Sequence, residues 1–206
     1  ERPAAVGTPG SAAEAAEIVA AVRDAGLRIA PQGSRHNPAP LGPLADSLEL
    51  SKSGLFAHFR SKEALQLAVL EEAIARFSSR VIEPSLAMPR GRARMDALLS
   101  RWFDWLEGEP DMRGCIFAVS AQEYDDRPGA IRDRLVESQR EWHETLVRVA
   151  ADLPKAGKAP PDYCRQVVFE LVGVSLAFQQ QAKLFHAPNA RARAEEAVSR
   201  ILDDAG

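Results

Sequence analysis

The chain has 206 residues, 46% of them apolar and 27% charged, with a net charge of −3. That mixture can bury a sizeable core and excludes a fibrous or wholly disordered chain. The slight acidity also excludes a generally polyanion-binding molecule, so any nucleic-acid contact must be a local basic patch.

Cys115 and Cys164 are the two cysteines. They are too few for a disulfide framework and too far apart for a zinc site, and read as reduced, packed thiols. No apolar run approaches the ~18 residues of a membrane span. The N-terminus lacks a basic-then-apolar leader, so a cytoplasmic protein with no membrane partner is expected.

Residues 1–50 hold six of the fourteen prolines and five of the thirteen glycines, a denser share than the rest. Within them "SAAEAAEIVAAVRDAG" reads as a helix, with Ser11 and Glu14 as a capping box and Gly26 as its stop. A short apolar "LRIAP" follows, then a loop with four prolines and two glycines between Pro31 and Pro43. "PLADSLEL" suits a short helix with Leu44, Ala45 and Leu48 turned inward.

After residue 50 the pattern is helix upon helix. A long helix is expected from Ser61 to Ile82, capped by Ser61, with Leu65, Leu67, Ala68, Val69, Ala73, Ile74 and Phe77 as its apolar side. Pro84, Pro89 and Gly91 should break it. Met95, Leu98, Leu99, Trp102, Phe103 and Leu106 recur at three-and-four spacing, the mark of a second helix. "CIFAVSAQEY" reads as a short helix, and residues 125–153 as a long one with Ile131, Leu135, Val136, Trp142, Leu146, Val149 and Leu153 inward. Residues 162–185 are helical and apolar almost all round, and 189–206 form a final amphipathic helix. Strand signals are absent after residue 50, so the fold class is all-α, a helical bundle.

Residues 51–65, "SKSGLFAHFRSKEAL", mix a small-residue start, two aromatics, a histidine and two lysines. A helix entering a DNA groove needs small polar residues at its start, an apolar anchor behind and cations for phosphates. Ser51, Lys52 and Ser53 supply the first, Leu55 and Phe59 the second, and Lys62 the third. "PLADSLEL" would be the first helix of the helix-turn-helix. On pattern alone a short connecting helix in a bundle competes equally.

"LSKSGLFAHFRSKEALQLAVLEEA" closely resembles the DNA-reading segment of the tetracycline-repressor (TetR) family of transcription regulators. "RGCIFAVSAQEYDDRPGAIRDRL" is similar, more weakly, to the middle of such a regulator, and the likeness spans about residues 43–204. The resemblance implies an all-helical homodimer with one helix-turn-helix per subunit and an inducer pocket in the larger C-terminal domain. Ser51, Lys52, Ser53, Phe56, His58 and Lys62 would face bases or phosphates. Phe56 replaces the usual Tyr, which removes a phosphate hydrogen bond, and Glu49 stands where the turn usually has Gly. The domains would be residues 1–60, an atypical N-terminal segment with the helix-turn-helix, and 61–206, the ligand-binding and dimerisation part.

Residues 1–50 resemble instead the opening of FAD-linked oxidases of the vanillyl-alcohol-oxidase type, so the chain looks chimeric. Gln32, Gly33, Ser34, Arg35, His36 and Asn37 would match the loop that cradles the flavin pyrophosphate. The remaining strands of that fold have no counterpart, so no cofactor is expected.

Trp102, Trp105, Phe117, Trp142, Phe169 and Phe178 are candidate lining residues of an apolar ligand pocket, with core packing as the bland alternative. Trp105 stands out because it leaves the apolar stripe. "EYDDR" lacks the His or second cluster of a metal or acid–base site, and "RGRAR" reads as a surface loop. Helix 161–185 must be buried by something, and Gly173, Ser175 and Ala177 would allow close approach. With helix 190–204 it would form a homodimer interface across a two-fold axis.

The expected protein is a ligand-responsive, DNA-binding regulator, a repressor acting as a homodimer on palindromic duplex DNA, with an unknown small-molecule inducer and neither catalytic nor metal residues. The competing expectations are an FAD-linked oxidoreductase fragment and a TetR-like dimer with impaired DNA binding.

Overall fold

The computed structural model describes Phe59 and residues 61–108, 115–153, 160 and 162–205. The expected helix at 11–26, the loop at 31–43 and the two helices of the helix-turn-helix lie outside these residues, apart from Phe59, which is helical and buried. The described residues are helical and contain no strand.

The helices are α1 (Lys62–Phe77), α2 (Glu83–Leu86), α3 (Arg92–Glu107), α4 (Ile116–Tyr124), α5 (Ala130–Ala150), α6 (Tyr163–Gln179) and α7 (Ala190–Ala205). The backbone groups into two compact units, residues 1–74 with 110–135, and residues 75–109 with 136–206. Helices α1 and α5 run from one into the other.

In the first unit α1 starts where the sequence places it. Ser61 Oγ accepts from Ala64 N–H at 3.0 Å, which satisfies one of the orphan donors of the first turn. Leu65, Val69, Leu70 and Ala73 are buried. Leu67, Ala68 and Ile74 are only half-buried, so the apolar face is centred on Leu70 rather than beside it. Arg134 of α5 clasps Glu71 of α1 with Nε to Oε1 at 2.7 Å and Nη2 to Oε2 at 3.1 Å. Phe117, Tyr124, Ile131 and Leu135 complete the buried set.

In the second unit Pro84 does not break the helical run. The chain widens into a π-turn at Ser78–Ile82, where Glu83 N–H donates to Ser78 O, and then re-enters α-helix at Glu83–Leu86. A proline in a helix interior lacks its N–H and collides with the preceding turn. Here it falls at the start of α2, where the lost donor is harmless. The turn also keeps Phe77, Val81 and Ser85 all buried. Ser85 Oγ donates to Val81 O at 2.6 Å.

The run ends at Leu86, and Gly91 stands as the N-cap before the next helix. Its φ of +89° is a region that L side chains rarely adopt. Helix α3 follows, and all six residues of its expected stripe are buried. It packs on α2 and α6, and α6 packs on α7. A second π-turn, Gln180–Leu184, closes α6.

Candidate functional site: an aromatic cluster and an uncovered helix face

The periodicity of α3 buries Trp102 and Phe103 and leaves Trp105 half-buried at the edge of the stripe. Phe77, the last residue of α1, meets Trp105 edge to face, with ring centroids 5.3 Å apart and planes at 79°. Trp142 of α5 meets Phe77 at 4.9 Å and 90°, and Trp102 at 5.1 Å and 75°. Such T-shaped contacts place the positive edge of one ring on the negative face of the next. Nearby, Phe103 and Phe178 meet edge to face at 5.2 Å and 64°, and the Arg191 guanidinium lies 5.3 Å from the centre of the Phe103 ring. Trp142 Nε1 is buried and donates to no acceptor among the described residues.

The outer side of α6 is different. Phe169 is 73% exposed and Leu176 55%, and just beyond the helix Leu184 and Phe185 are 65% and 58% exposed. Gly173 and Ala177 lie on the same exposed side. A Cβ added to Gly173 would meet nothing within 4 Å.

The model for "Tetracyclin repressor-like, C-terminal domain" matches residues 91–198. The chain belongs to this family. TetR-family members are DNA-binding transcription regulators that respond to ligands. Two solved structures share the fold. A TetR-family transcriptional regulator of Streptomyces coelicolor superposes with a TM-score of 0.75 at 18% identity, over 94% of this chain and 96% of that one. A TetR transcriptional regulator of Chloroflexus aurantiacus gives 0.72 at 20% identity, over 93% and 95%. No curated protein matches the sequence.

Of the six aromatics expected to line a TetR-type pocket, the structure brings Trp102, Trp105 and Trp142 into one cluster, with Phe178 beside Phe103. Phe117 is buried in the other unit. Phe169 is not turned inward: its exposure sets it on the uncovered face of α6, among apolar rather than polar residues. Phe77 was missed as a member of the cluster. The sequence shows it as one more apolar residue on a long helix, and only the fold reveals that it touches two tryptophans.

Ser51, Lys52, Ser53, Phe56 and His58, and the flavin-like loop from Gln32 to Asn37, lie outside the described residues. Lys62 opens α1 and is half-buried. The basic run at residues 90–94 is engaged within the chain. Arg92 bridges Asp96 at 2.8 Å and Asp203 at 2.7 Å, and Arg94 donates twice to Met88 O. The Asp203 carboxyl is held below its usual range by its bond to Arg92.

The Tyr124 phenol is perturbed. Burial, then the nearby Glu123 carboxylate, push it up to about 12. The carboxylates at the end of α4 form no metal-binding group among the described residues. No described helix is long and apolar enough to cross a membrane.

Proposed function

We propose that this TetR-family chain is a repressor that acts as a homodimer on palindromic duplex DNA and is released by a small-molecule inducer. Membership of the family over residues 91–198 is the observation that carries this reading. Ser51, Lys52, Ser53, Phe56, His58 and Lys62 form the DNA-reading surface, with the lysines on phosphates and the small residues near base edges. The aromatic cluster of the second unit holds the inducer. The protein performs no chemistry of its own.

The dimer forms through helices 161–185 and 190–204. An apolar stripe that carries Phe169, Leu176, Leu184 and Phe185 at such exposure is destabilising in water and supports burial against a second copy. A two-fold axis there gives four helices packed together, and Gly173 lets the backbones approach. Inducer binding favours one spacing of the two reading surfaces over another, which couples ligand and DNA affinity reciprocally. The experiment that tests the function is selection of duplexes from a random pool by the purified protein.

A further inference from the structure

Trp142 is 5% exposed, yet its Nε1 donates to no acceptor among the described residues. Indole N–H groups are donors only, and buried ones normally find an acceptor, because burial strips their hydration with nothing in return. The rings against Trp142 are Phe77 and Trp102, which offer neither an acceptor oxygen nor an ionised group. One turn along α5, Thr145 is already engaged: its Oγ1 donates to Glu141 O at 2.8 Å and accepts from Arg148 Nη2 at 2.9 Å. The unmet donor thus stands among aromatic faces, with the half-buried Trp105 at the rim of the set.

A second observation marks the same place. Phe77 is followed directly by the π-turn Ser78–Ile82. Single π-turns within helical runs are uncommon and concentrate at functional sites.

We propose that, given the inducer-responsive function above, the inducer is a flat, uncharged aromatic compound bearing an oxygen acceptor such as a carbonyl, which accepts from Trp142 Nε1 while its ring packs on Phe77 and Trp105. The flat ring follows from the edge-to-face surroundings, which complement another π-system. The lack of charge follows from the surrounding rings, which supply no counter-ion to offset desolvation of an ion. The acceptor follows from the donor-only chemistry of the indole.

The test is calorimetric titration of the full chain with 2-acetonaphthone, with 2-ethylnaphthalene, which has the same ring and no acceptor, and with 2-naphthoate. The ketone should bind about tenfold more tightly than the hydrocarbon, the worth of one buried hydrogen bond. Trp142→Phe keeps a ring and removes the donor, and should bring the two affinities together by weakening the ketone alone. In ¹⁵N-labelled wild-type protein, one of the three tryptophan indole N–H signals should shift with the ketone and stay with the hydrocarbon. That second measurement holds even if the variant does not fold. Equal binding of ketone and hydrocarbon, no binding of either, preference for the naphthoate, or a ketone preference that survives Trp142→Phe would each overturn the assignment. These titrations contain no DNA. Their failure alongside successful duplex selection rejects the ligand class alone, whereas failed duplex selection rejects the regulator reading whatever the probes do.

Discussion

Arg191 Nη1 lies 2.9 Å from Asp104 Oδ1, which fastens the first turn of α7 to the last turn of α3. The same guanidinium reaches Glu195 at 2.5 Å and Glu107 at 3.4 Å, and lies over the Phe103 ring. Lys183 adds a bond to Glu107 O, at the end of α3. One cation therefore holds three carboxylates together where α7 meets α3. Its partners are well exposed, so each pair alone contributes little. Removal of the shared cation leaves the three anions facing one another and uncovers Phe103. Arg191→Ala should lower stability by about 1–2 kcal/mol, more at low salt than at high, while Asp104→Asn should change it by under about 0.5 kcal/mol. Urea unfolding at two salt concentrations measures both.

The exposed face of α6 makes a second prediction. Leu176→Glu should convert the dimer to a monomer with its helix content intact, read by sedimentation velocity and circular dichroism. Gly173 gives a finer check. In a lone chain Gly173→Ala would favour the helix by about 1 kcal/mol, since its added Cβ meets nothing. In a close-packed dimer Gly173→Leu should weaken self-association, and unchanged association would place the two-fold axis elsewhere.

Tyr124 should titrate late. The folded phenol, pushed up to about 12 by burial, lies above its ordinary value near 10. A raised pKa in the folded state means that the stabilising contribution of this group is fully present below about pH 10 and is lost as pH rises through about 12. Ultraviolet titration of wild type minus Tyr124→Phe should show this one phenol ionising near 12 or only on unfolding. Ionisation near 10 would contradict the buried, unbonded hydroxyl.

Lys62 and Lys52 are the proposed phosphate contacts. If each neutralises one phosphate, then Lys62→Ala or Lys52→Ala should weaken all duplexes alike and reduce the slope of log affinity against log salt by about 1. Fluorescence anisotropy across a salt series reads both numbers. Unchanged affinity and slope in both variants would remove the lysines from the interface.

Much of the second unit was legible in the sequence because a 3.6-residue period leaves a clear trace. The stripe from Met95 to Leu106 is buried residue for residue. Ser61 caps α1 as its hydroxyl and position imply. Pro84 misled because proline is read as a breaker, whereas a preceding π-turn places it at a helix start. Phe169 misled for another reason: α6 is apolar on several sides, and periodicity cannot say which side its own chain covers. The aromatic cluster was half legible. Trp102, Trp105 and Trp142 are conspicuous by type, but Phe77 joins them only through contacts between helices distant in sequence.

Selection from a random pool of DNA duplexes at moderate salt, with the purified dimer, tests the central claim most directly. Enrichment of a palindrome with two half-sites is the predicted result, with the bound duplex released by the inducer. No enriched sequence from an intact, folded dimer would contradict it, and would leave a TetR-like helical dimer whose residues 51–62 do not read DNA.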